Sequence, residues 1–173
     1  MKRFNFPIIL LAALALAFQQ AYALPSDRNQ PLNIQSDFAE SDEIKETTTY
    51  SGSVIMERGS MKIVAEKVVI HRRDDKITRV VATGFPARYS QIPRLNQEPV
   101  SASANMIEYK ISKDMLYLID NASLDQEGSS LSGDRIEYDV KQSVVKAGSN
   151  RSSANKKRVK MVIPPKSFTE QTR

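Results

Sequence analysis

The feature that most constrains this fold is a run of alternating apolar and polar residues between positions 50 and 84. Gly52, Gly59 and a charged run at 71–76 interrupt it. Short apolar runs of period two, bounded by turn residues, are typical of half-buried antiparallel strands. We therefore predict a β-meander of about four strands here, each of about five or six residues. The residues expected on its buried face are Val54, Met56, Met61, Ile63, Ala65, Val68 and Ile70.

The same pattern recurs on both sides of this segment. Four polar residues each follow a small residue and precede another alternating run, at separations of 29, 39 and 29 positions: Asp37, Glu66, Asn105 and Asp134. The ten additional positions fall within residues 85–99, whose three prolines predict a longer connection. Because no stretch has a helical period, the chain is predicted to be all-β and built from repeated hairpins. Recurrence at one place in each hairpin favours a hydrogen-bonding or capping role for the four polar residues over a catalytic one.

The flanking segments fit the same pattern. Residues 31–37 alternate and predict a first strand that places Leu32 and Ile34 on one face. Asp42 and Glu43 predict a turn, and the threonines at 47–49 favour a strand after it. Further strands are predicted at 87–92, 107–111, 116–118, 122–126, 131–140, 143–147 and 159–163.

Residues 1–23 are expected to be a cleaved signal peptide. A basic start at Lys2 and Arg3 is followed by an apolar run at 8–18 and an A-x-A site that ends at Ala23. The run is short for a bilayer span, which needs about 20 apolar residues. Small residues at the cleavage site favour cleavage after Ala23 over an uncleaved anchor. Residues 24–165 then form one domain, and 166–173 form a flexible C-terminal tail.

The chain contains no cysteine, so an exported form has no disulfides and depends on a hydrophobic core. Without the leader it has 23 basic and 20 acidic residues. A basic cluster at Lys156, Lys157 and Arg158 could meet phosphate, but no aromatic residues are interleaved with it, which favours a solvated loop.

The sequence contains no pattern typical of catalysis. His71 is the single histidine and lies in a charged turn, and one histidine without cysteine cannot assemble a typical zinc site. Neither a nucleophile elbow nor a phosphate-binding loop is present. We therefore expect no enzyme activity, no cofactor and no metal. The apolar face either fills its own interior or leaves a groove for an apolar ligand; pattern alone favours a filled core, and six adaptable methionines favour a groove.

Several segments in order resemble one family: QPLNIQSD at 30–37, YSGSVIM at 50–56, IVAEKV at 63–68, ATGFPA at 82–87 and GDRIEY at 133–138. They are similar to the OstA-like family of periplasmic lipopolysaccharide-transport bridge proteins, the LptA family, over residues 30–165. Residues 38–49 lack the family's usual glycine-bearing turn, which leaves the pairing of the second strand open.

The resemblance implies an open antiparallel β-jellyroll in the periplasm whose apolar interior holds the acyl chains of lipopolysaccharide. It also implies head-to-tail stacking with copies of itself, with an inner-membrane-anchored LptC-like component, and with the N-terminal periplasmic domain of an outer-membrane LptD-like component. By motif position the lipid-contacting residues are Leu32, Ile34, Tyr89, Tyr109 and Ile111. The other candidate lipid-binding residues are the inward-alternating Val54, Met56, Ile63, Val68, Ile70, Leu116, Ile136 and Tyr138.

Three functions thus compete. The first is a lipid-carrying bridge. The second is a purely structural assembly module with a filled core that polymerises through its edges. The third, a carbohydrate-acting β-enzyme or lectin, requires clustered carboxylates beside exposed aromatic residues, and the sequence has neither.

Overall fold

The computed structural model describes residues 27–93, 97–148 and 158–165. The leader, the tail and most of the basic cluster, including Lys156 and Lys157, lie outside these residues. Within them, ten strands form one antiparallel sheet, and two short 3₁₀ turns lie at Asp27–Asn29 and Ile111–Lys113. The strands are β1 (Asn33–Gln35), β2 (Phe38–Asp42), β3 (Thr47–Arg58), β4 (Met61–Arg73), β5 (Lys76–Gln91), β6 (Val100–Lys110), β7 (Met115–Gln126), β8 (Ser129–Asp139), β9 (Val144–Gly148) and β10 (Lys160–Val162).

The sheet is a meander that stays open at both ends. Its order is β1-β3-β4-β5-β6-β7-β8-β10, while β2 also pairs with β3 and β9 also pairs with β8. One edge, the N-edge, is formed by β1 and β2. The opposite edge, the C-edge, is formed by β9 and β10. The all-β fold and the open antiparallel sheet confirm the prediction.

The strand count within residues 50–84 was wrong. Three long strands of 12, 13 and 16 residues cover this region, rather than about four short ones. In β4 the inward residues Ala65 and Val68 are separated by exposed Glu66 and Lys67, because a β-bulge restarts the alternation. The predicted long connection is also shorter than expected, since β5 continues to Gln91 and the loop occupies only 92–99.

Bulges in neighbouring strands lie side by side across the sheet. The register shifts between Ser51 and Val54, between Val64 and Lys67, and at matching places in the next three strand pairs. We call this row the spine; it contains Gly52, Ser53, Glu66, residues 84–86, Asn105, Asp120, Asn121 and Asp134. A bulge bends its strand and increases the local twist, so an aligned row folds the whole sheet. The recurring polar residues of the sequence therefore mark the fold line of the sheet.

The spine divides the sheet into two halves. Leaf A contains residues 54–58, 61–65, 87–91, 100–104, 122–126 and 129–133, with β1 and β10 at its edges. Leaf B contains residues 47–51, 67–73, 76–83, 106–110, 115–119 and 135–139, with β2 and β9 at its edges. Apolar residues of both leaves form one buried cluster, and no helix covers that face in the described parts of the chain. The leaves therefore bury each other, as in a jellyroll.

The second strand, whose pairing the sequence left open, pairs with the part of β3 that contains the three threonines. Phe38–Asp42 lies antiparallel to the start of β3, with Glu40 opposite Thr49. Asp42 Oδ1 accepts a hydrogen bond from the backbone N–H of Lys45 at 2.9 Å, and Glu46 adopts φ of 49° to complete the turn. A non-glycine residue thus adopts the left-handed conformation at the end of this turn.

Candidate functional site

The candidate site is the inner face of the sheet. Ten of the thirteen candidate residues are buried there: Val54, Met56, Ile63, Val68, Ile70, Tyr89, Tyr109, Leu116, Ile136 and Tyr138. The remaining three, Leu32, Ile34 and Ile111, are half-buried and pack against the same cluster. The structure therefore brings all thirteen together on one surface. No polar or charged residue is buried among the described residues.

Several members of this surface were missing from the candidate set. Val80, Ile107 and Leu118 are almost inaccessible to solvent and face the same interior. They alternate with outward-facing residues as their neighbours do, so the period-two pattern of the sequence also predicts them to be buried. Alanines at 87, 102, 104 and 122 are also buried in the interior.

Side chains fill the described interior. Tyr138 and Tyr89 are 1% and 2% exposed, and Leu116 is fully buried. The filled arrangement that pattern alone favoured is therefore what the structure contains. A ligand between the leaves would have to separate them.

A pocket of about 320 Å³ opens at the C-edge. Leu124, Leu131, Val145 and Met161 supply its apolar wall, and they belong to strands of both leaves. Polar residues of the β7–β8 turn region, Gln126, Glu127, Ser129 and Ser130, also line it. This volume is at the lower end of the range for small-molecule sites. The pocket forms an apolar mouth at the C-edge of the sheet.

The turns that connect the strands lie along the margin of each leaf that is away from the spine, and these two margins face each other. We call this region the rim, and it carries polar groups. On the leaf A side, Asp27 Oδ2 accepts hydrogen bonds from Ser60 Oγ at 2.8 Å and Gln91 Nε2 at 2.6 Å. On the leaf B side, Tyr109 Oη donates to Asp114 Oδ1 at 3.0 Å. Asp27 and Gln91 were not predicted, because 64 positions separate them and no local pattern links them.

Tyr89 connects the rim with the interior. Its hydroxyl donates to Gln91 Oε1. Burial raises the pKa of Tyr89 well above its usual value, and Tyr109, Tyr138, Asp27 and Asp114 raise the pKa further. The hydroxyl thus stays neutral and acts as a donor. Tyr89 of leaf A and Tyr109 and Tyr138 of leaf B belong to one buried cluster, so the two leaves pack together around this ring.

The outer face of leaf B carries a group of charged residues around Tyr117. Lys110 Nζ lies 4.6 Å and Arg135 Cζ 5.2 Å from the centre of the Tyr117 ring. Arg135 Nε also donates to Glu137 Oε1 at 3.0 Å. These charged groups contrast with the inner face, where no charged residue is buried among the described residues.

The two edges of the sheet carry opposite charges. The N-edge has exposed Asp37 and Glu40, whereas the C-edge has exposed Lys146 and Lys160. Each edge also exposes apolar side chains, including Phe38 at the N-edge and Met161 at the C-edge. These ends are therefore complementary in charge.

Groups that could support other chemistry are sparse in the described ranges. No set of three or more His, Asp or Glu residues there could hold a metal ion. No described helix is long and apolar enough to cross a membrane. His71 lies beside Arg79 on the outside of leaf B, with Nη2 of the arginine 3.0 Å from Nε2 of the imidazole.

Comparison with known proteins gives a consistent family. Residues 33–144 match the family described as "LptA/(LptD N-terminal domain) LPS transport protein". Lipopolysaccharide export system protein LptH of Pseudomonas aeruginosa is 34% identical over 164 residues, which cover 92% of this chain and 94% of that protein. Lipopolysaccharide export system protein LptA of Haemophilus influenzae is 38% identical over 168 residues, 95% of each chain.

A solved structure agrees with these sequence matches. The crystal structure of LptH from Pseudomonas aeruginosa, described as the LptA-homologous periplasmic component of a lipopolysaccharide transport device, superposes with a TM-score of 0.77 at 33% identity. The match covers 82% of this chain and 100% of LptH. The extent of the sequence match and the shared open jellyroll together show that this chain belongs to the LptA/LptD N-terminal domain family.

Proposed function

We propose that this protein is a periplasmic carrier of lipopolysaccharide that holds acyl chains between its two leaves. The observation that carries this proposal is the continuous apolar inner face, which runs from the N-edge to the C-edge without a buried charge among the described residues. Shielding apolar surface is worth about 25 cal/mol per Å², so several acyl chains are held by many kcal/mol. The names of the relatives support this choice of lipid.

The open sheet suits this role because its leaves can separate at low cost. Strand pairing is continuous across the spine, but the N-edge and C-edge do not pair with each other. Opening the rim therefore replaces side-chain contacts by contacts with acyl chains and leaves the backbone ladder intact. The proposed lipid contacts are the thirteen residues predicted from the sequence, with Val80, Ile107 and Leu118 added.

We further propose that the protein bridges two membranes by stacking end to end. The sheet path contains eight strands of alternating direction, so the first and last run in opposite senses. A second copy placed at the C-edge would therefore continue the sheet in the antiparallel sense. Homologous edges of an LptC-like and an LptD-like component would pair in the same manner. We also propose that residues 1–23 are removed on export, which leaves 24–165 as the carrier domain and 166–173 as its tail.

Site-specific photocrosslinking to purified lipopolysaccharide tests the proposed lipid path. Ile34 and Val145 are half-buried on the inner face near opposite edges, while Asn33 and Lys146 are their exposed neighbours. Crosslinks from Ile34 and Val145 but not from Asn33 and Lys146 are the expected result. Equal or absent crosslinking at all four would favour the assembly module, in which the interior never opens.

A further inference from the structure

The N-terminal segment is fastened to the rim by one carboxylate. Asp27 Oδ1 accepts a hydrogen bond from the backbone N–H of Ser60 at 2.8 Å, and Oδ2 accepts from Ser60 Oγ and from Gln91 Nε2. Ser60 lies in the β3–β4 turn and Gln91 ends β5. One side chain therefore ties residues that precede β1 to the margin of three consecutive strands. Arg58 Nε adds a bond to the carbonyl of Gln30 at 3.2 Å.

The β3–β4 turn leaves space for the Asp27 carboxylate. Gly59 has φ of +60°, and a Cβ at that position would lie 2.2 Å from Asp27 Oδ1. Only glycine allows the carboxylate to approach the turn this closely. The position of the Asp27 carboxylate therefore depends on glycine at position 59 as well as on its hydrogen bonds.

The same network reaches the interior. Gln91, which binds Asp27 with its amide nitrogen, accepts a bond from the Tyr89 hydroxyl with its amide oxygen. Tyr89 lies in the buried cluster, which also contains Tyr109 and Tyr138 of leaf B. Gln91 and Tyr89 therefore connect the N-terminal segment with the buried cluster between the leaves.

We propose that Asp27 is a latch that fastens residues 27–32 along the leaf A side of the rim beside Tyr89 and thereby controls the entry of lipid between the leaves. This inference depends on the proposed lipid-carrying function. Release of the Asp27 contacts frees the N-terminal segment and removes the polar partner of Gln91. Tyr89 then loses its fixed neighbour at the rim, and acyl chains can enter between the leaves from that side.

A second glycine–carboxylate contact lies away from the rim. Gly52 has φ of +80°, and a Cβ there would lie 2.2 Å from Asp37 Oδ2. Gly52 and Asp37 thus form a glycine–carboxylate contact like that of Gly59 and Asp27. The difference is position, because Gly52 lies on the spine, where the leaves do not separate.

The test measures two quantities on the exported chain, the hydrogen exchange of the Ser60 amide and the rate of lipopolysaccharide crosslinking from a probe at Ile34. Asp27→Ala and Gly59→Ala should each speed both, the crosslinking by about tenfold, the loss expected for hydrogen bonds to a charged group. Gly148→Ala, where a Cβ meets nothing within 4 Å, should leave both rates unchanged. Because the chain has no cysteine, Asp27→Cys with Ser60→Cys can form one disulfide that locks the latch.

The locked form should take up lipid more slowly, and a reductant should restore the rate. Faster exchange at Ser60 with unchanged lipid uptake, and no effect of the lock, would overturn the latch, since the segment would then be a structural anchor only. Absence of lipid crosslinking in the wild-type chain would instead overturn the proposed function, and the latch with it.

Discussion

The backbone N–H of Asp37 donates a hydrogen bond to the carbonyl of Gly52 at 3.0 Å, and the side chain of Asp37 occupies the space that a Cβ on Gly52 would need. Asp37 lies between β1 and β2, and Gly52 belongs to the spine. This pair therefore holds the N-edge where its strand crosses from leaf A to leaf B. It also explains why the YSG sequence at 50–52 ends in glycine.

Gly52→Ala should destabilise the fold by about 2 kcal/mol or more. The left-handed conformation alone costs a non-glycine residue roughly 1–2 kcal/mol, and the Asp37 side chain must also move. Urea unfolding followed by circular dichroism measures the change. Gly148→Ala is the control, because a Cβ there meets nothing within 4 Å. Equal stability of the two variants would contradict the role of this pair.

Leu118→Ala should cost about 2–5 kcal/mol of unfolding free energy, the usual range for a cavity in a packed core. Leu118 is fully buried between the leaves, while its neighbour Ile119 points to the outside of leaf B. Ile119→Ala should therefore cost much less. Equilibrium unfolding of both variants compares the two faces of β7 directly, and similar losses would mean that the register of β7 is wrong.

The inner face could be predicted from sequence because burial on one side of a strand imposes a strict period of two. All thirteen candidate residues lie on or against the buried cluster for this reason. The strand boundaries within 50–84 could not be predicted in the same way. Two consecutive exposed residues, Glu66 and Lys67, look like a turn, whereas in the structure they form a bulge inside one long strand.

The rim could not be predicted because its contacts join residues that are distant in sequence. Asp27 and Gln91 have ordinary neighbours, and their hydrogen bond depends on how the N-terminal segment folds back along leaf A. The complementary charges of the edges were also visible only after β2 and β9 had been assigned to opposite ends of the sheet. Local pattern determines which face is buried, whereas tertiary structure determines which polar groups meet.

End-to-end stacking should depend on the opposite charges of the two edges. Glu40 lies at the centre of β2 and Lys146 at the centre of β9. Glu40→Lys or Lys146→Glu alone should weaken self-association by placing like charges together, and the double variant should restore it. Sedimentation at low and high salt measures the effect, because salt screens exposed charges separated by more than about 10 Å at ~0.1 M.

The outward-facing Lys62→Glu is a suitable comparison, since Lys62 lies within leaf A rather than at an edge and pairs with Glu57 at 2.9 Å. It should not alter association. Association that is insensitive both to salt and to the two edge substitutions would exclude charge complementarity as the basis of stacking.

His71 should make the protein less stable as the pH falls below about 6.5. Burial lowers the pKa of His71 below its usual 6.5, the nearby Arg79 guanidinium lowers it further, and Glu108 opposes the change. The unfolded chain therefore takes up a proton at higher pH than the folded chain does. The stability contributed by neutral His71 is fully present above pH 6.5 and declines as the pH falls from there towards the lower folded pKa.

Because His71 is the only histidine, its imidazole proton signals in the NMR spectrum of the untagged protein report the folded pKa directly. Urea unfolding between about pH 5 and pH 7.5 should show a slope below 6.5 that His71→Gln removes. Titration of the Asp42 and Glu43 carboxylates does not account for this slope. Their pKa values are lowered by Lys45 and Arg72 respectively, from 3.8 and 4.5, so their contribution is lost only at more acidic pH. A His71 signal that titrates at or above 6.5 would contradict the burial of its ring against Arg79.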